Sequence, residues 1–488
     1  MHPISLPGEF GIGDLGPAAF EFCDQLAAAG QTYWQILPLG PTGYGDSPYQ
    51  SFSAFAGNTL LLSPEKLVED GFLEQSEIDD HPQFGSDRVD YGGVYEWKTG
   101  LLEKAYERFR SGGSDATDFD AFAAEHANWL DGYALYRTIK ISRGHKAWFE
   151  WPEEFRLRDA AAFDAATGDL VGRIRAEKFF QFLFFRQWMA IKNHANGLGL
   201  KVIGDVPIFV ALDSADVWLH QDQFKLNDDG SPKVVAGVPP DYFSSTGQLW
   251  GNPIYDWDAM REDGFRWWIS RVRHSLKMTD IIRLDHFRGF AGAWEVPGGD
   301  ATAENGEWVD APGQALFTAI KAELGDLPVI AEDLGVITPD VEEIRDEFGF
   351  PGMRILEYAF GGDAKNHDLP HNYDQNCVAY TGTHDNETFV GWFANAPENL
   401  REHCLEYLGS DGDDLHLDAI RSLWASVADT VIVPLQDVLG LGDEGRMNIP
   451  ATSGGNWGWR LAEGALTSEI VERLAEFAHL YGRTRDDV

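Results

Sequence analysis

Four ionisable side chains crowd the end of one apolar segment, DIIRLDHFRGF at residues 280–290. The apolar residues at its start are typical of a buried strand, in which Arg283 and Asp285 point to the same side. A buried strand that ends in charged groups indicates a site, because an unpaired buried charge is costly. The guanidinium of Arg283 would keep the carboxyl of Asp285 ionised. Asp285 is therefore either a nucleophile or half of a structural ion pair, and this stretch alone favours neither.

Three other apolar segments also end in acidic residues. Asp205 stands in GDVPIFV, Glu332 and Asp333 stand in VIAEDLG, and Asp385 follows His384 in THDNET. Carboxyl groups that converge split their pKa values, so that one is ionised and another is protonated at neutral pH. A carboxylate and a carboxylic acid about 5–5.5 Å apart are the nucleophile and the proton donor of a retaining glycosidase.

These acids have alternative uses in helix caps, ion pairs or metal sites. A structural role is the better interpretation for Asp333, whereas Glu332 directly follows an apolar strand and is the better candidate for chemistry. A divalent metal site is disfavoured, because Arg283 would compete with the metal for Asp285.

The order of secondary-structure elements predicts how acids so far apart in the chain could meet. Apolar strand patterns alternate with helical patterns along the sequence. The strands are expected to end near residues 5, 37, 206, 285, 332, 356, 383 and 434. Eight strands that alternate with helices predict an α/β fold, the closed (β/α)8 TIM barrel, in which every strand's C-terminal end opens on the face that carries the active site.

Residues 1–488 are expected to form one catalytic barrel with inserted subdomains. Residues 64–165 have a charged helical pattern without strands, which predicts a helical insertion between barrel strands 2 and 3. Residues 207–262 have many aromatic residues and few regular patterns, which predicts an irregular insertion after barrel strand 3. No C-terminal β-domain is expected.

Two long loops rich in glycine and aromatic residues have a composition that suits binding. Residues 40–58 follow a strand end, where α/β enzymes keep their sites. The loop VPPDYFSSTGQLWGNPIYDW offers flat aromatic faces beside amides, a pairing that suits a sugar. The alternative for both loops is that the aromatic side chains form small packed clusters beneath the surface.

The net charge of −41 disfavours nucleic acid and anionic membranes as partners. No stretch approaches the roughly 18 consecutive apolar residues of a membrane helix, and the first residues lack the pattern of a signal peptide. Three widely separated cysteines predict neither a disulfide framework nor a metal site, which fits a cytoplasmic protein. The acidic residues are dispersed, which favours adaptation to high salt over a merely acidic cytosolic enzyme.

Seven motifs in order resemble those of one enzyme family. They are GYGDSPYQSFSAFAGN, GDVPIFV, PPDYFSSTGQLWGNPIY, RLDHFRG, AEDLG, THDNET and GNWGWR. The set closely resembles the 4-α-glucanotransferases of the amylomaltase type (glycoside hydrolase family 77), which are also called disproportionating enzymes and are relatives of the α-amylases. The resemblance extends from HPISLPG to GNWGWR, nearly the whole chain. Each motif alone is weak, but seven in order at independently predicted strand ends are specific.

The resemblance implies roles for the acids and their neighbours. By similarity, Asp285 is the nucleophile that forms a glucosyl-enzyme, and Glu332 is first the acid and then the base. Asp385 is the third acid, which grips sugar hydroxyls and stabilises the distorted ring. Arg283 would fix Asp285, and His384 would hydrogen-bond the sugar in the −1 subsite.

The resemblance also implies a set of substrate-binding residues. Tyr49 would stack on the −1 sugar, Asp205 would support that subsite, and the aromatic loop would cover the cleft and line acceptor subsites. Tyr358 stands where the family more often has phenylalanine. The remaining residues implied to bind substrate are Ser47, Tyr242, Phe243, Gln248, Trp250 and Asn456.

The function that the resemblance implies is a retaining transfer of α-1,4-glucan segments between maltodextrins, with no metal and no organic cofactor. An α-glucan hydrolase of the same clan is the nearest alternative, and a non-catalytic glucan-binding protein is a more distant one. Maltodextrins and starch- or glycogen-derived glucans are the expected partners of a monomer, with no nucleic acid and no membrane. The family usually has several more apolar residues before HPxSLPG, so the sequence leaves open whether the first barrel strand is complete.

Overall fold

The computed structural model describes residues 1–112, 115–240, 244–452 and 454–484. Its strands are β1 (Tyr33–Gln35), β2 (Lys201–Pro207), β3 (Val234–Val238), β4 (Gln248–Pro253), β5 (Ile281–Asp285), β6 (Gly292–Pro297), β7 (Glu307–Asp310), β8 (Val329–Ala331), β9 (Gly352–Ile355), β10 (Cys377–Tyr380) and β11 (Thr430–Ile432). Its helices are α1 (Pro17–Ala28), α2 (Pro64–Glu69), α3 (Gln75–Asp79), α4 (Tyr91–Arg110), α5 (Ala116–Glu125), α6 (Ala127–Ser142), α7 (Glu153–Arg156), α8 (Ala160–Gly197), α9 (Ala215–Leu219), α10 (Trp257–Glu262), α11 (Arg266–Met278), α12 (Gly313–Leu324), α13 (Pro339–Phe348), α14 (Phe389–Asn395), α15 (Glu398–Leu408), α16 (Leu415–Trp424), α17 (Leu435–Val438) and α18 (Ser468–Leu480).

Parallel strands form the barrel in two hydrogen-bonded groups. The first group has the order β1-β2-β5-β8 and the second has the order β11-β10-β9. The amide of Ala331 donates to the carbonyl of Pro351 at 2.9 Å and joins the two groups. Apolar side chains from all seven of these strands meet in one cluster, as the filled interior of a closed barrel requires. The cluster contains Tyr33, Ile203, Ile281, Ile330, Met353, Ile355, Val378, Tyr380 and Ile432.

The prediction of a strand that ends near residue 5 is wrong. Pro3–Ser5 form a 3₁₀ helix, closed by the amide of Leu6, which donates to the carbonyl of Pro3 at 3.0 Å. Pro3 has no amide proton for a strand ladder, and its fixed φ suits the first position of a helix. A cavity of about 200 Å³, lined in part by residues of β1 and β11, lies where the outer edges of these strands face each other.

Helices surround the barrel, as the alternating pattern predicts. The aromatic stripe of α8, which includes Phe179, Phe184 and Trp188, is buried and packs the helix against its neighbours. Between β1 and β2, the described part of residues 64–165 contains α2 to α7 and the start of α8, and no strand. None of the helices in the described ranges has both the length and the apolar character needed to cross a bilayer.

A four-stranded antiparallel sheet lies beside the barrel, in the order β4-β3-β6-β7. The sequence pattern does not predict it, and β3 and β4 fall within residues 207–262, where irregular structure is expected. Its strands are only four to six residues long. They pair across long intervals of the chain, as when Val235 lies opposite Val296. A short strand is stabilised by its cross-strand partners, and these are invisible to a local pattern.

Candidate active site

Arg283 and two carboxylates form a buried network at the ends of β2 and β5. In the parallel register, Asp205 lies directly opposite Arg283. Nη1 of Arg283 donates to both carboxylate oxygens of Asp205 at 2.8 Å and to Oδ1 of Asp285 at 2.9 Å. The side chain of Asp205 is fully buried, whereas that of Asp285 is 26% exposed. Arg283 therefore orients Asp285, whose Oδ2 has no hydrogen-bond donor among the residues that the structure describes.

Glu332 lies beside Asp285 because β5 and β8 are neighbouring parallel strands. Leu284 lies opposite Ala331, and Asp285 and Glu332 are the next residues along the chain. The backbone amide of Glu332 donates to the carbonyl of Leu284 at 3.0 Å, and its carbonyl accepts from the amide of Phe287 at 3.0 Å. These two hydrogen bonds hold the backbone of Glu332 on both sides. The predicted meeting of these two acids is therefore built from parallel strand pairing.

The environment of Glu332 favours its neutral form. Burial raises the pKa of the Glu332 carboxyl to about 8, and the negative charge of Asp285 adds to the rise, although Arg283 and the amide of His286 oppose it. The amide of His286 donates to Oε2 at 2.6 Å, and the amide of Leu334 donates to Oε1 at 3.2 Å. At neutral pH, Glu332 is therefore protonated beside a carboxylate that a guanidinium holds. A protonated carboxyl is the state that a proton donor needs.

His286 has a left-handed backbone, with φ 51°, which is rare for a residue with a side chain. In this conformation its amide points at Glu332. Its ring meets the ring of Trp250 edge to face at 4.7 Å. The strained turn therefore links Glu332 to the antiparallel sheet, and strain of this kind is typical of functional sites.

The loop after β10 brings Asp385 to the same end of the barrel. Oδ2 of Asp385 lies 3.4 Å from Nε2 of His384, and Oδ1 accepts from the side-chain amide of Asn448 at 2.6 Å. Although burial favours the neutral carboxyl, His384 and Asn448 lower the pKa of Asp385 well below its usual value. The Asp385 side chain is 48% exposed. It is thus an ionised acceptor that a sugar hydroxyl can reach.

Asn386 fixes the shape of this loop. Its Oδ1 accepts from the amide and the hydroxyl of Thr383, both at 2.9 Å. Its Nδ2 donates to the carboxyl of Glu357 at 3.1 Å and to the hydroxyl of Tyr358 at 3.2 Å. Tyr358 is 50% exposed. One side chain therefore couples the turn that carries Asp385 to the segment that follows β9.

Tyr49 connects the loop at residues 40–58 to the acids. Its hydroxyl donates to Oδ2 of Asp205 at 2.7 Å, and its ring stacks on the ring of His384 with centroids 5.0 Å apart. The ring of Trp457 lies 5.6 Å from that of Tyr49. The hydroxyl oxygen of Ser47 accepts from the amide of Tyr49 at 3.2 Å. Ser47 therefore supports Tyr49 in this structure, and Tyr49 both packs against other rings and contacts the acids.

The predicted residues of the aromatic loop are described in part. Nε1 of Trp250 donates to Oε1 of Gln248 at 3.2 Å, both on β4, and Trp250 reaches the site through His286. Tyr242 and Phe243 lie outside the described residues.

Asn456 lies on a turn near the site. Its Oδ1 accepts from the amide of Ile449 at 3.0 Å, and its Nδ2 donates to the hydroxyl of Thr452 at 2.9 Å. In this structure the side chain of Asn456 therefore holds Ile449 and Thr452, which follow Asn448 in the chain.

The sequence analysis does not predict several residues that contact the site. Asn448 contacts Asp385, Glu357 contacts Asn386, and Trp457 packs against Tyr49. Trp457 lies inside the GNWGWR motif, which is the one signal that pointed to it, whereas Asn448 and Glu357 stand outside every quoted motif.

Asp333 has the structural role that the sequence favours. Its Oδ2 accepts from Nη1 of Arg345 at 2.6 Å, and its Oδ1 accepts from the amide of Met353 at 2.7 Å. The ion pair and the backbone contact use both oxygens. Of the neighbouring acids Glu332 and Asp333, the second is therefore held in structural contacts, and Glu332 remains the candidate for chemistry.

Known proteins resemble this chain over its whole length. A family model described as 4-alpha-glucanotransferase matches residues 1–467. The 4-alpha-glucanotransferase of Synechocystis sp. is 48% identical over 489 residues, which cover 99% of this chain and 97% of that protein. The 4-alpha-glucanotransferase of Thermus thermophilus is 47% identical over 489 residues, which cover 98% of this chain and 97% of that protein. An amylomaltase from Streptococcus agalactiae, solved in complex with acarbose, matches with a TM-score of 0.96 at 41% identity and covers 99% of both chains.

The barrel, the acids gathered at its strand ends and these full-length relatives lead to one conclusion: the chain belongs to the 4-alpha-glucanotransferase family.

Proposed function

We propose that Asp285 is the nucleophile, and Glu332 the acid and base, in a retaining transfer of α-1,4-glucan segments between maltodextrins. One observation carries these roles: the carboxyl of Asp285, oriented by Arg283, stands beside Glu332 at the end of the adjacent strand, where burial raises the pKa of Glu332 to about 8. Membership of the family supports the reaction class.

In the first step, a carboxylate oxygen of Asp285 bonds to the anomeric carbon of the sugar in the −1 subsite. The bond from that carbon to the glycosidic oxygen breaks, and Glu332 gives its proton to the departing oxygen. Since Arg283 engages Oδ1, we assign the attack to Oδ2 of Asp285. The products are a glucosyl ester on the enzyme and a shortened glucan that leaves.

In the second step, the 4-hydroxyl of an acceptor glucan attacks the same carbon. Glu332, now a carboxylate, takes the proton of that hydroxyl, and the ester bond to Asp285 breaks. Formation of the ester removes the negative charge of Asp285, which contributes to the raised pKa of Glu332. The pKa of Glu332 is therefore lower in the intermediate than in the free enzyme, which suits its change from acid to base.

The residues around the acids have roles in binding. The ionised Asp385 accepts hydrogen bonds from sugar hydroxyls, and its charge stabilises the positive character that develops on the ring. Asp205 and Tyr49 hold the floor of the −1 subsite, and His384 lies between Tyr49 and Asp385.

The further substrate-binding residues are proposed from the family resemblance. These residues are Ser47, Tyr242, Phe243, Gln248, Trp250, Tyr358 and Asn456.

Incubation with maltotriose tests the reaction. A transferase produces glucose together with a ladder of longer maltodextrins, whereas a hydrolase produces shorter sugars alone. A non-catalytic binding protein leaves maltotriose unchanged. Appearance of shorter sugars without the ladder would therefore contradict the proposal.

A trapping experiment tests the two roles separately. In Glu332→Gln, an α-maltosyl fluoride donor can still react, because fluoride leaves without a proton, but the ester breaks slowly without a base. Mass spectrometry of digested protein should then find a maltosyl group on the peptide that contains Asp285. Asp285→Asn should show no label, and Glu304→Gln, which changes an exposed carboxylate, should behave like the wild type. Labelling elsewhere would refute the assignment of the nucleophile.

We also propose that the chain acts as a cytoplasmic monomer and that residues 64–165 and 207–262 are insertions in one barrel. The cysteines at 23, 377 and 404 are unpaired and buried in the structure, as suits a reducing compartment. The charge of −41 opposes self-association and binding to nucleic acid or anionic membranes. Light scattering after size exclusion should give a mass near 54.3 kDa, and a multiple of that mass would contradict the monomer.

A further inference from the structure

We propose that Trp308, on β7, is a sugar-stacking platform beyond the catalytic subsites, and that it increases affinity for long glucans. The inference rests on the proposed function, because it takes an α-1,4-glucan as the ligand.

Trp308 presents an exposed aromatic surface that is held in place. The residue is 40% exposed although it lies in a sheet. Its ladder partner is Trp294, and their ring centroids are 5.5 Å apart at an angle of 65°. Nε1 of Trp294 donates to the carbonyl of Ala303 at 2.9 Å and fixes this support. A preorganised aromatic ring loses little conformational entropy on binding, so its apolar area is effective in contact with a sugar.

Arg288 connects this platform to the catalytic cleft. Its Cζ lies 3.9 Å from the centroid of the Trp308 ring, a cation–π contact. Its Nη1 donates to the hydroxyl of Thr338 at 2.6 Å. The guanidinium therefore anchors the ring to the loop that follows Glu332. Although Arg288 and Trp294 both contact the ring, 40% of Trp308 stays exposed.

The position of these anchors places the platform on the acceptor side. Arg288 is three residues after Asp285, so their Cα atoms lie within about 11 Å. Thr338 is six residues after Glu332, the proton donor. In a retaining enzyme the proton donor faces the sugar that departs. The acceptor glucan later binds in the place of that sugar. A glucan that passes Glu332 and Trp250 would therefore reach Trp308 after a few sugar units.

A glucan fits this surface better than a second copy of the chain. β7 is an edge strand with an open ladder side, the feature through which sheets associate. However, β7 carries the acids Glu307 and Asp310, and two copies of a chain with charge −41 repel each other. A neutral glucan meets no such repulsion, and its sugar faces suit an aromatic ring.

Enzyme kinetics with a short and a long substrate test the platform. The KM of maltoheptaose divided by the KM of maltotriose is measured for the wild type, Trp308→Ala, Trp308→Phe and Tyr95→Ala. Tyr95 is also 40% exposed but lies on α4, away from β7 in the chain, and is the matched control. We expect the ratio to rise about 2- to 10-fold in Trp308→Ala, the size of one aromatic contact, and to stay near the wild-type value in Trp308→Phe and Tyr95→Ala.

The outcomes separate this inference from the proposed function. An unchanged ratio in Trp308→Ala, with the maltotriose ladder intact, overturns the platform and leaves the transferase standing. Absence of the ladder in the wild type overturns both. A wild-type dimer that Trp308→Ala converts to a monomer would show an interface between copies and overturn the inference. If Trp308→Ala unfolds, Trp308→Gln retains a long side chain and gives the same test.

Discussion

Replacement of Glu332 by glutamine is expected to abolish transfer, and the stability of the variant relative to the wild type should increase with pH. Burial raises the pKa of Glu332 from 4.5 to about 8 in the folded protein. A carboxyl with a raised folded pKa gives its full stability below its unfolded pKa, and this stability is lost as pH rises through the folded pKa. The wild type therefore loses stability from about pH 4.5 to pH 8, and glutamine does not titrate.

The size of the effect follows from the shift. Each pH unit in this window corresponds to about 1.4 kcal/mol. Over three pH units this amounts to about 4 kcal/mol. Because Glu332 is only partly buried, solvent screening reduces this energy, and we expect a change of roughly 2–3 kcal/mol in the free energy of unfolding between pH 5 and pH 8. Glutamine also has a fixed cost of about 1 kcal/mol, because its amide cannot accept from both His286 and Leu334. That cost does not vary with pH, so the slope is the test.

Urea unfolding followed by tryptophan fluorescence measures this slope. The free energy of unfolding is determined at several values between about pH 5 and pH 8 for the wild type, Glu332→Gln and the exposed control Glu304→Gln. The difference between Glu332→Gln and the wild type should increase with pH, whereas the control difference should stay flat. A pH-independent difference for Glu332→Gln would show that Glu332 is not protonated by burial, and would refute the reasoning.

Four further outcomes are expected. The kcat/KM of the wild type should fall above about pH 8, as Glu332 loses the proton that the first step needs, and a profile flat to pH 9 would contradict this. Asn448→Ala removes a 2.6 Å hydrogen bond to Asp385 and should lower kcat/KM about 10- to 100-fold with little change in unfolding; equal activity would show that Asn448 does not position Asp385. Arg283→Met leaves buried Asp205 without its cation and should reduce the free energy of unfolding by about 3–5 kcal/mol, with partial recovery when Asp205→Asn is added. Because the chain carries a charge of −41, its melting temperature should rise as KCl increases to about 1 M, and a protein most stable without salt would contradict the adaptation to high salt.

Much of the fold can be predicted from the sequence, because barrel strands and helices have strong local patterns of apolar and polar residues. The strands expected to end near residues 206 and 285 are β2, Lys201–Pro207, and β5, Ile281–Asp285. The prediction of a strand near residue 5 is wrong because Pro3 favours a helical turn. The antiparallel sheet was missed because its short strands depend on partners such as Val235 and Val296, which are far apart in the chain.

The proposed catalytic residues also divide into those that local patterns predict and those that depend on tertiary contacts. The acids could be found from the sequence because each follows an apolar strand, and a barrel brings such positions to one face. The contacts of Asp385 with Asn448 and of Tyr49 with Asp205 join residues 63 and 156 positions apart. No local pattern encodes such pairs, since they arise from the packing of separate loops.

The sequence alone predicts the barrel, places Asp285, Glu332 and Asp385 at the ends of its strands, and carries the motifs of the family. Only the tertiary structure shows that Arg283 engages one oxygen of Asp285 and that burial raises the pKa of Glu332 to about 8. Both depend on how far water is excluded and on which charges and amides stand within hydrogen-bonding distance. Those neighbours come from different strands and loops, so the states of the acids are set by folding and not by residue type.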